Sequence, residues 1–500
     1  MIKCLRQKSS FIDKNIFLFF IYSFLLIMLI FGTPNKLVFL QEHFYIVSLV
    51  GFIGFYRYSL WIIHLIRAQI YEKGFYAKLK KQIAKLPENR WLPDRLYFMI
   101  VSYGEDKKIL YNSIKSIIHE ARSLNLPATI CMGSASSCDE NVVSDVIQTI
   151  PYGDRIKVIF VRQNEPNKRM QISMALRSLI RQGIRGNDSI VFMDGDSIIM
   201  PGVLRKCIPI FCLQPNVHAL TTNEKAVVTN SDFFSNVLNL RFAIRNFHMN
   251  SLALSKKVLC LTGRFSVFRA SQISNEEFIT KIENDYIDDW YWKKIQFLTG
   301  DDKSAWYSLL KSGAEMLYAP DALVYTIEKV RTNPINDYIQ NLKRWSGNML
   351  RNNSRALALG PAKTGFFPWL ILLDQRISMW TAIISPSVII LTLFRDIQLT
   401  FMLIIWVLSI KYLQSLLIFY YGKTINYTFP VIYYFHQFLN GLVKIYMLFN
   451  LRTQFWNNQN VRNNKSCDRK RFYFVFAKYI TVLYITIFLI LINLLINYSG

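Results

Sequence analysis

Two hydrophobic patterns share this chain. In its middle, short apolar runs alternate with amphipathic stretches: residues 96–103 (LYFMIVSY), Ala128–Met132, Ile156–Val161 and Ile190–Met193 each read as a buried strand. After the first run, Ile109, Ile114, Ile117 and Ile118 recur at helical spacing, with Glu120 and Arg122 on the polar side. A further helix is expected around Ser173–Ile180. Strands alternating with helices every 25–35 residues predict an α/β domain, a parallel sheet with helices on both faces. Ligands of such sheets bind beyond the carboxyl ends of the strands.

The second pattern is continuous. Residues 16–32 (IFLFFIYSFLLIMLIFG) hold no charge over 17 positions, and 44–66 are nearly as apolar apart from Arg57 and His64. Later runs cover 377–394, 399–421, 428–450 and 475–497. A bilayer core of about 30 Å takes roughly 20 such residues as helix. The run 428–450 carries Pro430, His436, Gln437, Asn440, Gly441 and Lys444, which suits an interfacial or pore-facing helix. Lys411 inside 399–421 likewise predicts a face turned to protein or water. The first run lacks a small-x-small site after it, so a cleaved signal is not expected.

Charge sets the orientation. Lys3, Arg6, Lys8 and Lys14 precede the first run, and Arg67, Lys73, Lys78, Lys80, Lys81 and Lys85 follow the second, with only Lys36 between. The long region 68–370 is therefore expected in the cytoplasm. The basic stretch 451–472 belongs there too, which needs an even number of crossings between 370 and 451. The division this predicts is two membrane helices over 1–70, a basic linker over 71–94, a cytosolic domain over 95–370, and membrane or interfacial helices over 371–500. The net charge of +26 is accounted for by these flanks and by contact with anionic membrane lipid. No nucleic-acid partner is expected, because the cations are not clustered with stacking aromatics in a soluble module. The seven cysteines form no CxxC and no zinc spacing, as in a reduced compartment.

Four stretches carry candidate chemistry. In "SIVFMDGDSIIMPG" (189–202), Asp194 and Asp196 flank a glycine at the end of a strand, where two carboxylates can converge on Mg²⁺ or Mn²⁺. In "FLTGDDKSAWYSLLKSG", Asp301 and Asp302 open a helix; they read as an acidic helix start or as a base for an attacking hydroxyl. In "LTGRFSVFRA", Thr262, Gly263 and Arg264 read as an ordinary turn or as the lining of a sugar pocket. In "LKRWSGNMLRNNSR", Arg344 and Trp345 suit a diphosphate and a stacked sugar, or a juxtamembrane belt.

The order of these stretches resembles the processive family-2 glycosyltransferases, of which cellulose and hyaluronan synthases are familiar members. "LTTNEKAVV" (220–228), "LRFAIRNFHMNSLALSKKVLCLTGRFSVFRAS" (240–271), "FLTGDDKSAWYSL" (297–309), "NSRALALGP" (353–361) and "DQRISMW" (374–380) are similar to the catalytic subunits of bacterial alginate polymerases, the mannuronan synthases. The resemblance implies a GT-A-like nucleotide-sugar domain inserted between transmembrane helices of a multi-pass inner-membrane protein. It implies a donor, GDP-mannuronate, and a growing β-1,4-linked polymannuronate chain exported as it is made. It also implies a membrane co-polymerase partner that senses cyclic-di-GMP.

Site roles follow from the same resemblance. Asp194 and Asp196 would hold Mg²⁺ or Mn²⁺ on the donor diphosphate, and Asp302 would be the catalytic base with Asp301 beside it. Arg344 would grip the diphosphate and Trp345 the acceptor sugar, although Asn341 stands where the family carries a glutamine and Gln340 is one residue early. Thr262, Gly263 and Arg264 would line the acceptor pocket. Lys168 and Arg169 would contact the nucleotide, Asp139 would read the base, and Trp456, in "TQFWNNQN", would gate the donor site. Three other readings stand beside this one: a synthase using a UDP-sugar, an enzyme adding single sugars to a lipid carrier, and a transporter that only binds nucleotide. The last lacks any Gly-rich phosphate loop.

Overall fold

The computed structural model describes residues 44–163, 167–228, 230–289, 292–296, 298–328, 330, 333–422 and 428–454, with a few residues between 23 and 27 and between 482 and 490. The expected first span, the basic stretch beyond Gln454 and most of the last span lie outside the described residues.

The apolar runs of the middle region do form strands. Beta strands β1 (Leu96–Ser102), β2 (Ala128–Ser134), β3 (Ile156–Arg162) and β4 (Ser189–Asp194) are followed by β5 (Ser197–Ile199), β6 (Val217–Val228), β7 (Phe265–Arg269), β8 (Ile287–Asp289), β9 (Lys293–Ile295) and β10 (Glu315–Glu328). Eight of them make one sheet in the order β3-β2-β1-β4-β7-β6-β10-β5, and β8 pairs with β9 apart from it. In register, Ser102 faces Ser134 on one side and Val101 faces Asp194 on the other, so the carboxyl ends of β1, β2 and β4 share one edge. Every residue of β1 and β2 is buried, as for central parallel strands covered on both faces.

The sheet is mixed rather than parallel throughout. From β3 to β4 the expectation of parallel pairing holds, but β7 runs antiparallel to both β4 and β6. After β6 the chain leaves the sheet through a 22-residue helix that packs on the apolar bundle, so it re-enters from the opposite end.

The helices that matter for the site are α1 (Phe44–Gln69), α2 (Lys107–Ser123), α3 (Ser137–Thr149), α4 (Lys168–Ile180), α5 (Asp232–Ala253, the helix just mentioned), α6 (Asp301–Lys311), α7 (Pro334–Ala358), α8 (Phe366–Leu393), α9 (Ile397–Gly422) and α10 (Phe429–Leu448). By length and composition α8 and α9 are apolar enough to cross a membrane. Helices α5, α7, α8 and α9 all pack on α10, and α1 packs on α5. An ion pair between Arg57 and Asp374, at 2.6 Å, and a hydrogen bond from Tyr56 to the same carboxylate tie α1 to α8.

Two expectations need correcting. Residues 71–94 are not a loose basic linker: Ile70–Tyr76 is a π-helical turn running into a helix at Ala77–Lys85. There Tyr71 is fully buried and donates to the Tyr318 carbonyl, and Tyr76 donates to Asp321. The lysines coat the outside while the aromatics dock on the sheet. Glu120, expected on the polar side of its helix, is 2% exposed. Its carboxylate accepts from the backbone N–H groups of Gly202 and Leu204, capping the helix that begins at Val203. Glu120→Ala should leave two buried donors unpaired and cost about 1–3 kcal/mol. The measurement is thermal unfolding of the solubilised chain, in which Glu120→Gln should recover part of the loss.

Candidate active site

A single cavity of about 1380 Å³ begins at the carboxyl edge of the sheet and runs between α1, α5, α7, α8, α9 and α10. Asp194 ends β4 and Asp196 stands just before β5, both on its wall. The turn packs closely there: a Cβ on Gly195 would come within 3.2 Å of the Ser102 Cβ. From the first turn of α4, Lys168 places its ammonium 2.7 Å from Asp194 and 3.6 Å from Asp301. Burial, the largest single influence, pulls this ammonium towards losing its proton, but Asp194 and Asp301 outweigh it and hold its pKa above the ordinary range. Asp196 is pushed well above the usual carboxylate range by burial and then by the neighbouring Asp194.

The second acidic turn is held from behind. Gly300 precedes α6 with φ +96°, and a Cβ on it would meet the Asn348 Nδ2 at 2.7 Å. Thr299 donates its N–H to Gln454 and its hydroxyl to Asn348, at 2.6 and 2.8 Å. Arg351, 2% exposed, braces the same turn by donating to Asn348, Thr299 and the Leu451 carbonyl. The N-cap position of α6 is Gly300, and Asp302, inside the first turn, accepts the Lys303 N–H at 2.8 Å. Asp301 and Asp302 both line the cavity. Burial, then Asp301, raises the pKa of Asp302.

Helix α7 supplies the third wall. Asn341, at the position of the missing glutamine, accepts from Arg344 at 3.2 Å and so orients the guanidinium. Among the described residues no carboxylate lies within ion-pair distance of Arg344, although its charge is felt by Glu328, Asp302 and Asp194. The Trp345 ring is covered on one face by Arg241 of α5, 3.2 Å from its centroid. Thr262, Gly263 and Arg264 line the cavity. Arg264 is committed to Glu328 at 2.9 Å and Glu224 at 3.4 Å, and Thr262 donates to Glu224.

Two expected residues are placed otherwise, and a third is not among the described residues. Arg169 is turned away from the cavity and buried, donating to the carbonyls of Leu298 and Ile282 and to Ser304. It braces the segment leading into the acidic turn and does not line the cavity. Asp139 is buried at the start of α3, where it accepts from the Ser102 hydroxyl and the Gly104 N–H, and Glu105 and Asp106 line the cavity in its stead. Trp456 lies outside the described residues, though the chain just before it touches Thr299 through Gln454. Arg241 went unrecognised in the sequence. The signal available was a pair of arginines, 241 and 245, one turn apart in a helix with no other Lys or Arg.

Among the described residues no group of three His, Cys, Asp or Glu could hold a metal. Asp194 and Asp196 nonetheless fit a hard divalent cation shared with phosphate oxygens: they are close, acidic and partly buried, and the Lys168 ammonium already occupies a cation's place beside one of them.

The family described as glycosyltransferase-like family 2 matches residues 93–348. Glycosyltransferase alg8 of Pseudomonas syringae pv. tomato is 35% identical over 418 residues, 83% of this chain and 85% of its own length. Glycosyltransferase alg8 of Azotobacter vinelandii is 33% identical over 446 residues, 89% and 90% of the two chains. Among solved structures, the mannosyltransferase PcManGT from Pyrobaculum calidifontis, in complex with GDP-Man and Mn²⁺, is 16% identical and covers 63% of this chain and 80% of its own, with a TM-score of 0.36.

The turn at Gly300 gives a direct test of the site's construction. Gly300→Ala should cost about 1–3 kcal/mol from the left-handed backbone alone, with the Asn348 collision in addition. Thermal unfolding of the solubilised variant measures it, and an unchanged midpoint would contradict the geometry.

Proposed function

The chain belongs to glycosyltransferase-like family 2, and from that membership we propose that it is the catalytic subunit of an alginate polymerase. In this reading it takes mannuronate from GDP-mannuronate, adds it with inversion to a β-1,4-linked chain, and passes that chain across the inner membrane. One observation carries the reading. The cavity that holds Asp194, Asp302 and Arg344 also touches Ser378 and Thr381 of α8, Lys411 of α9 and Gln437 of α10. Helices apolar enough to cross a membrane thus turn polar groups inward, onto the same space as the acidic turns. Lys411 donates to Gln414 and Gln437 there.

The residues divide the work by position. Asp194 and Asp196 would hold Mg²⁺ or Mn²⁺, which when bound neutralises the diphosphate leaving group. Lys168 and Arg344, the cations nearest to Asp194 and to Asn341, take the phosphate oxygens. Trp345 stacks the acceptor sugar beside Thr262 and Gly263, while Arg264 stays paired with its two glutamates and fixes that wall. Asp302 accepts the proton of the acceptor hydroxyl. As that oxygen bonds to the anomeric carbon, the bond from that carbon to the diphosphate breaks and its electron pair leaves with GDP. No covalent enzyme intermediate is needed. Burial beside Asp301 raises the pKa of Asp302, which makes its carboxylate a stronger base than an ordinary aspartate. The catalytic domain lies on the cytoplasmic side, and a membrane partner that senses cyclic-di-GMP completes the polymerase.

Membranes containing the chain and such a partner, given cyclic-di-GMP, labelled GDP-mannuronate and Mg²⁺ or Mn²⁺, should make high-mass product. Asp302→Asn should lower the rate by about a hundredfold or more, and chelation of divalent cations should stop it. Polymer from UDP-glucose or UDP-glucuronate instead would overturn the donor. A base is active when unprotonated, so a raised pKa moves the acid limb upward: the rate should begin to fall at a higher pH than an ordinary carboxylate would give. Initial rates across pH at saturating donor measure this.

A further inference from the structure

Between Trp345 and the apolar helices the cavity passes two cations that the mechanism above does not use. Arg241 of α5 lies over the Trp345 ring, and its Nη1 is buried with no hydrogen-bond partner. Lys444 of α10 lines the same cavity and, among the described residues, makes no hydrogen bond or ion pair. The two are within electrostatic reach of each other, and Tyr338 and His436, hydrogen-bonded together, stand beside them. Arg241 also feels Arg344 and Arg264 on the sheet side, while Lys444 feels Arg57 on the membrane side. Both cations therefore stand on the one cavity, within electrostatic reach of each other and of charges on either side of it.

The nearby acids are already engaged. Glu328 pairs with Arg264, and Asp374 with Arg57 and Tyr56. A partly buried cation without a counter-ion is costly unless an anion arrives to meet it. Lys168 and Arg344 flank the acidic turns where a diphosphate would lie, whereas Arg241 lies against Trp345 and Lys444 projects from α10 into the same cavity. A neutral sugar chain passing this point would leave both charges unmet, and a chain carrying one carboxylate per sugar would meet them in turn.

We propose that Arg241 and Lys444 form an anion-receiving pair that binds the carboxylates of the newest sugars as the chain moves from Trp345 to the membrane helices. This rests on the polymerase reading and adds the residues that would recognise a uronate chain. Trp345 would hold the sugar face, and Arg241, stacked on the same ring, would hold the carboxylate at its edge.

The test uses the full chain in lipid nanodiscs and three probes: a labelled mannuronate oligomer, the same oligomer with its carboxyls reduced to alcohols, and GDP. Wild type should prefer the anionic oligomer by about tenfold, with the preference shrinking as salt rises. Arg241→Gln and Lys444→Gln should each remove most of that preference and leave GDP binding unchanged, which also reports that the variants are folded. Arg241→Lys should keep part of it. Preference retained in full by both glutamine variants would overturn the pair while sparing the polymerase reading. So would weaker GDP binding in the Arg241 variant with the oligomer unaffected, which would assign that cation to phosphate. No preference in the wild type would overturn the uronate reading and the pair together.

Discussion

Two acidic turns lying far apart in the chain, one at Asp194 and Asp196 and one at Asp301 and Asp302, meet at the ammonium of Lys168. Without that cation, Asp194 and Asp301 would lose the one ammonium they share, and like charges gathered on one cavity resist ionisation. With it, the end of β4 and the start of α6 can share a wall, and the space between them holds acid and cation side by side, as the proposed function requires. The supports elsewhere follow from this constraint. Arg169 and Arg351, both buried, hold the Leu298 carbonyl and the Thr299 hydroxyl, which fixes the second turn beside the first. Gly300 lets the chain approach Asn348 closely enough for the grip to work.

What local pattern decides, the sequence made legible. The strands of the first half, the acids at the end of β4 and the juxtaposed Arg344 and Trp345 follow from apolar runs and short motifs. Long-range geometry was not legible. Lys168 and Arg169 are neighbours in sequence, but on a helix they point about 100° apart, so one reaches the cavity and the other the protein interior. Nothing local distinguishes them. Asp139 and Glu120 likewise read as exposed or ligand-facing acids, whereas each satisfies backbone donors from a distant segment. The reversal of β7 depends on where α5 takes the chain, which composition does not record.

The apolar half of the chain has its own division. Helices α8 and α9 are apolar enough for lipid, while Asp374, Lys411, Gln414 and Gln437 hydrogen-bond within the bundle and border the cavity. Polar side chains at membrane depth are costly unless they face protein or water. In the proposed function, their convergence with the acidic turns on one cavity would link bond formation to passage of the product, because the acceptor end of the chain would occupy the space from which it leaves.

That link is tested most directly in inverted membrane vesicles, whose cytoplasmic face is outward. With GDP-mannuronate supplied outside, product should accumulate inside, shielded from added alginate lyase until detergent is introduced. Long product fully exposed to the lyase from the start would contradict the account, because the cavity would then be a binding site without an exit.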